Sequence, residues 1–266
     1  MAQSVHQTFS DMAAGGLLPG SPGKVQKSKS KNLSWKKEPG AWVMFLAAFS
    51  SGAAVSGRFV MVSAIVFFSL VLMLLAKSPL LSMIRGRRWE YLPDMAALVL
   101  PAAAGISYSA WLCPPLGLLY GAALGLMALN YYLEGRGKRF LAEACGMAIM
   151  GLVAVIASSV SGGVTRHLFL GAAFFLFYFA SSFRVRYATF PGLRRTGLIY
   201  CSLLVAGGVA AALFSHPAGL AFLPLIEDIV ASLKTVEQKQ KPKLRRLGLI
   251  STAKVLFFAV LIVALG

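Results

Sequence analysis

The sequence predicts an all-α bundle of about nine membrane-spanning helices. Two observations carry that prediction. The 266 residues are 58% hydrophobic and only 13% charged, where soluble domains carry roughly 25% charged. The 26 Lys and Arg also stand in short clusters between apolar runs. The net charge of +17 would suit a nucleic-acid binder only with cations spread over a polar surface. The clustered pattern excludes that class, so no nucleic-acid partner is expected.

Residues 1–36 are rich in Ser, Gly, Gln and Lys and read as a disordered cytoplasmic tail, with 37–266 as the transmembrane domain. The first residues lack the basic start and apolar core of a signal peptide. Lys24, Lys27, Lys29, Lys31, Lys36 and Lys37 precede the first apolar run. Anionic lipid attracts such a juxtamembrane segment by roughly 1 kcal/mol per cation.

A spanning helix needs about 20 apolar residues. The stretches of that kind are 41–57, 59–76, 95–112, 115–133, 144–162, 168–183, 196–214, 218–233 and 247–265. Gly57–Arg58 and Cys113–Pro114 leave room only for tight turns. Pro101 and Pro224 fall inside the third and eighth stretches, where they are expected to kink the helix. Threaded this way, 23 of the 26 cations fall on one side and Arg58 and Arg166 on the other, with Lys254 inside the last span. The positive-inside rule then puts the N-terminus in the cytoplasm and, after nine crossings, the C-terminus outside.

Gly117, Gly121 and Gly125 form a GxxxGxxxG ridge on the fourth span. Such ridges let backbones approach closely. Packing within the chain is the first reading, and self-association of two copies through this ridge is the other.

Cys113, Cys145 and Cys201 are far apart and read as free thiols in apolar surroundings. His6, His167 and His216 form no ligand pair at helical spacing. No metal site and no cofactor is expected.

Chemistry is sought where charge meets lipid, since intramembrane ionisable groups are costly. Glu227 and Asp228 follow Pro224 by one turn, and Lys254 lies well inside the next span. Either they form a structural ion pair, with Lys254 snorkelling, or they line a polar site under a broken helix. A second set sits at the basic rim: Asn130, Glu134, Arg136 and Arg139 in the fourth link, Glu143 one turn on, and Arg184 and Arg186 after the sixth span. Guanidinium forks suit phosphate oxygens, yet basic loops also follow from topology alone. No catalytic set can be assigned.

Lys37-Glu38-Pro39-Gly40-Ala41-Trp42 resembles the opening motif of the YwiC-like family of bacterial integral membrane proteins. Pro217 to Pro224, through Gly219, Leu220 and Phe222, is similar to the family's Pro-Gly-Leu-Ala-Phe-Leu-Pro, and Arg246-Leu247-Gly248 resembles its last basic link. Pro39 stands where the family has His, and Ser251 and Thr252 where it tends to have an acid. The resemblance implies an inner-membrane protein without an established activity. A looser likeness is to the UbiA-type prenyltransferase bundle, whose Asp-rich motifs are absent here. Three functions are therefore open: a lipid- or isoprenoid-binding membrane protein, a degenerate prenyltransferase, and a small-solute or proton-coupled transporter.

Overall fold

The computed structural model describes residues 39–57, 61–86, 89–160, 164–189, 217–222 and 244–265, with single positions at 202, 206 and 208. Seven α-helices are found among them: α1 (Pro39–Val55), α2 (Met61–Gly86), α3 (Leu92–Leu112), α4 (Pro114–Gly135), α5 (Arg139–Ser159), α6 (Val164–Thr189) and α7 (Leu244–Leu265). Short 3-10 segments occupy Trp89–Tyr91 and Pro217–Phe222. No strand occurs among the described residues, in keeping with a chain in lipid, where a helix satisfies its backbone internally. Three helical segments, Trp89–Leu112, Pro114–Gly135 and Phe140–Ser159, are long and apolar enough to cross a membrane. Shorter apolar helical stretches lie in α1, α2, α6 and α7.

Most helices outrun the apolar stretches that announce them. α2 continues through Lys77 and Pro79 to Gly86, and α6 continues through Arg184 and Arg186 to Thr189. The sequence predicts loops at these basic residues, and instead they extend helices. Polarity ends a membrane span but not a helix, since Lys, Arg, Leu and Met are all good helix formers. The opening of the expected eighth span is a 3-10 segment, Pro217–Phe222, rather than an α-helix. Apart from positions 202, 206 and 208, the expected seventh span and the rest of the eighth lie outside the described residues.

The turns follow local chemistry. α3 passes to α4 through Cys113 alone, with Pro114 and Pro115 opening α4 where their missing N–H groups are not needed. The Cys113 N–H caps the Ser109 carbonyl at 2.9 Å. α4 gives way to the turn at Gly137, which has φ +73°. The Gly137 N–H donates to the Glu134 carbonyl at 3.1 Å, and the Lys138 N–H to the Leu133 carbonyl at 2.9 Å. These two bonds are the Schellman pattern, which needs a left-handed residue at this point. Gly137→Ala is expected to lower stability by about 1 kcal/mol, read as a fall in thermal midpoint in detergent. An unchanged midpoint would contradict the assignment.

α5 is the central helix. It packs on α1, α4 and α6, while α2 packs chiefly on α3 and α7 lies on α1. Residues 153–159 of α5 are buried all round. Glycines set the crossings. A Cβ on Gly52 of α1 would meet the Ala154 carbonyl oxygen and lie 2.9 Å from the Ala157 Cβ on α5. One on Gly105 of α3 would meet the Ser69 hydroxyl of α2. Gly151 of α5 and Gly171 of α6 face each other, each a close neighbour of the other's carbonyl oxygen. Lipid tails are as apolar as the helix faces, so close backbone approach is the main source of helix association.

The expected ridge on α4 behaves otherwise. A Cβ on Gly117 would touch the Ala110 Cβ at 3.7 Å, but one on Gly121 or Gly125 would meet nothing within 4 Å among the described residues. Among the described residues, a packing neighbour is found at Gly117 and not at Gly121 or Gly125.

Aromatic rings join α1 to α2 and α6 to α7. Phe258 of α7 stacks on Phe177 at 4.1 Å and meets Phe174 edge-on at 5.1 Å. The buried polar side chains among the described residues are Ser51, Ser63, Ser69, Ser109, Ser158, Ser159 and Ser181. Several return a hydrogen bond to their own helix, as Ser69 does to the Ile65 carbonyl at 2.7 Å, which is how a hydroxyl is tolerated in lipid.

Candidate functional site

The α4–α5 hairpin gathers most of the expected rim residues at one end of the bundle. Asn130 and Glu134 are one turn apart, so both lie on one face of α4. The Asn130 side-chain amide donates to the Ala142 carbonyl of α5. It clamps the two helices just before they reach the Gly137 turn. Glu134 is half-buried, and the Tyr131 hydroxyl beside it is buried without a hydrogen-bond partner. Arg136 is exposed, with its guanidinium carbon 5.0 Å from the centroid of the Tyr132 ring. That cation–π contact holds a cation over an exposed aromatic face. Lys138 and Glu143 are also exposed.

The remaining rim residues sit at the same end by backbone. Arg139 opens α5, and Arg184 and Arg186 lie in the last turns of α6. Phe140 and Phe179, 5.7 Å apart, fix these antiparallel helices in register there. The side chains of these three arginines lie outside the described part of the structure. The rim therefore offers exposed cations beside half-buried carboxylate and amide groups, and no group of three or more metal-ligating side chains occurs among the described residues.

The second expected set is placed only in part. Lys254 is half-buried in the middle of α7. Ser251, one turn earlier, has a buried hydroxyl without a hydrogen-bond partner. Phe222 meets Phe258 edge-on at 5.3 Å, which seats the 3-10 segment against α7 one turn from Lys254. Glu227, Asp228 and Pro224 lie outside the described residues.

Of the opening motif, Gly40 and Ala41 lie in the first turn of α1, and the Trp42 ring meets Phe45 edge-on at 6.3 Å. Lys37 and Glu38 lie outside the described residues. Residues 36–158, from just before α1 to the last turn of α5, match the model of the YwiC-like protein family. This region resembles the YwiC-like family. It includes the opening motif, the Gly137 turn and the Asn130 clamp, so most of the basic rim belongs to the YwiC-like region. Gly219, Leu220, Phe222 and Gly248 lie beyond the match: Gly219 and Phe222 are buried, Leu220 is exposed, and Gly248 lies in α7. No curated protein and no solved structure matches the chain.

Two contacts carry no sequence signal. The Tyr178 hydroxyl of α6 donates to the Met44 carbonyl of α1 at 2.6 Å. Ser109 and Tyr120 share a hydrogen bond of 3.0 Å across the α3–α4 turn. Both look like ordinary apolar-face residues in the sequence. Only tertiary placement reveals them.

Proposed function

We propose that this YwiC-like chain is a bacterial inner-membrane protein that binds a lipid or isoprenoid-like ligand at its basic end. In this reading the N-terminus is cytoplasmic and the chain crosses nine times. The observation that carries it is the α4–α5 turn. There Arg136, stacked on Tyr132, and the exposed Lys138 stand beside the half-buried Glu134 and the Asn130 clamp. Fixed cations at a membrane surface attract anionic head groups, and guanidinium forks match phosphate oxygens. Lys254, beside the unbonded Ser251 hydroxyl, marks a second polar point at membrane depth. Glu227 and Asp228 follow five and six residues beyond Phe222 in the sequence.

The experiment is lipid retention by the purified protein, read by native mass spectrometry with anionic and zwitterionic phospholipids. Arg136→Ala combined with Lys138→Ala is expected to weaken anionic-lipid binding by roughly thirtyfold, at roughly 1 kcal/mol per cation, and to leave zwitterionic lipid unchanged. Equal retention by the variant and the parent would remove the rim as a lipid site. A C-terminal reporter active in the cytoplasm would overturn the nine-crossing threading.

A further inference from the structure

We infer that the α3–α4 hairpin is a flank of the bundle that faces the acyl chains, held at depth by aromatic anchors at both of its ends. Large apolar side chains stand bare on both helices. On α3, Leu100 is 69% exposed and Trp111 76% exposed, and Trp89, in the 3-10 turn that leads into the helix, is 73% exposed. On α4, Leu118 is 82% exposed, and Leu124, Leu129 and Tyr132 are exposed as well. Such side chains along two adjacent helices need an apolar surrounding.

The spacing of the anchors identifies that surrounding. Trp89 and Trp111 are 22 residues apart in sequence. At 1.5 Å per residue they are separated by about 33 Å along the helix. The hydrocarbon core of a bilayer is about 30 Å thick, and Trp and Tyr concentrate at its two borders. Both tryptophans therefore fall at an interface, one at each side. Tyr108 lies beside Trp111, with ring centroids 6.2 Å apart, at the border near the Cys113 turn. Tyr132, under Arg136, is at the opposite border on α4.

The glycine ridge fits this placement. Gly121 and Gly125 are exposed between Leu118 and Leu129, and a Cβ added at either would meet nothing within 4 Å among the described residues. Leu124 lies ten residues into α4, about 15 Å from the turn and so near the bilayer centre. The occupant of this face is acyl chain. A second copy docked on the ridge is the competing outcome.

The test is tryptophan quenching in vesicles of phospholipid that carries bromine either near the head group or near the chain end. Single-tryptophan proteins are made by Trp→Phe replacement of the other three tryptophans, checked for helicity and elution volume. Trp111 and Trp89 are expected to be quenched roughly twofold more by the shallow label than by the deep one, as for interfacial anchors. Leu124→Trp in a tryptophan-free background is expected to show the reverse order. Quenching of Trp111 or Trp89 chiefly by the deep label would overturn the depth assignment. Failure of both labels to quench the Leu124→Trp protein would show the face covered by protein and overturn the inference. The reporters at 89, 111 and 124 are independent, so failure of one variant to fold leaves the others to decide.

Discussion

Gly151→Leu is expected to abolish the folded bundle, whereas Gly121→Leu leaves it intact. The two glycines are alike in sequence, since both lie inside long apolar helices. At Gly151 even a first side-chain carbon would press on the Gly171 carbonyl and come within 3.3 Å of the Phe175 Cβ. The backbone of α6 cannot yield without leaving α5. Overpacking of a tight core typically costs about 1–3 kcal/mol and sometimes more. Here it strikes the crossing at the centre of the bundle, so the upper end of that range is expected. At Gly121 an added Cβ would meet nothing within 4 Å among the described residues, so the larger side chain is expected to cost little. Thermal unfolding in detergent, with elution volume as a second reading, compares the two. Equal loss in both variants would contradict the packing described for α4.

Phe258→Ala is expected to be the largest single loss of side-chain packing, about 2–4 kcal/mol. Phe258 is fully buried and touches rings from two other elements: Phe174 and Phe177 of α6, and Phe222 of the 3-10 segment. In a soluble core, Phe→Ala costs about 3–5 kcal/mol because transfer and cavity terms add. In lipid the transfer term shrinks, since the unfolded reference is itself in an apolar solvent. What remains is lost dispersion and an unfilled cavity. Phe258→Leu should recover about half of the loss by refilling volume. Chemical unfolding in mixed micelles measures both, and a Phe258→Ala protein as stable as the parent would show the cluster to be incidental.

The fold class was legible because lipid imposes one strong rule: every spanning segment must be long, apolar and self-satisfied. Helix ends were less legible. α2 reaches Gly86 and α6 reaches Thr189 because helix formation does not stop where apolarity stops. The packing glycines were not legible either. The GxxxGxxxG spacing pointed to Gly117, Gly121 and Gly125, while the tight crossings fall at Gly52, Gly105, Gly151 and Gly171. In water, the core-facing side of a helix is the apolar one. In lipid both faces are apolar, so periodicity cannot tell inside from outside. The basic rim was visible as charge, but the Asn130–Ala142 and Tyr178–Met44 bonds join residues from different helices, so spacing along the chain does not reveal them.

The one-residue link at Cys113 has a mechanical consequence. With Leu112 ending α3 and Pro114 opening α4, neither helix can slide along the other. The pair can only open like a pair of compasses, with its pivot at the Cys113 end. Over a helix of about 30 Å, a swing of about 10° at the pivot moves the far tip by about 5 Å. The far tip is where Asn130, Glu134 and Arg136 stand, so a small angular change at one membrane face becomes a lateral displacement of the rim at the other.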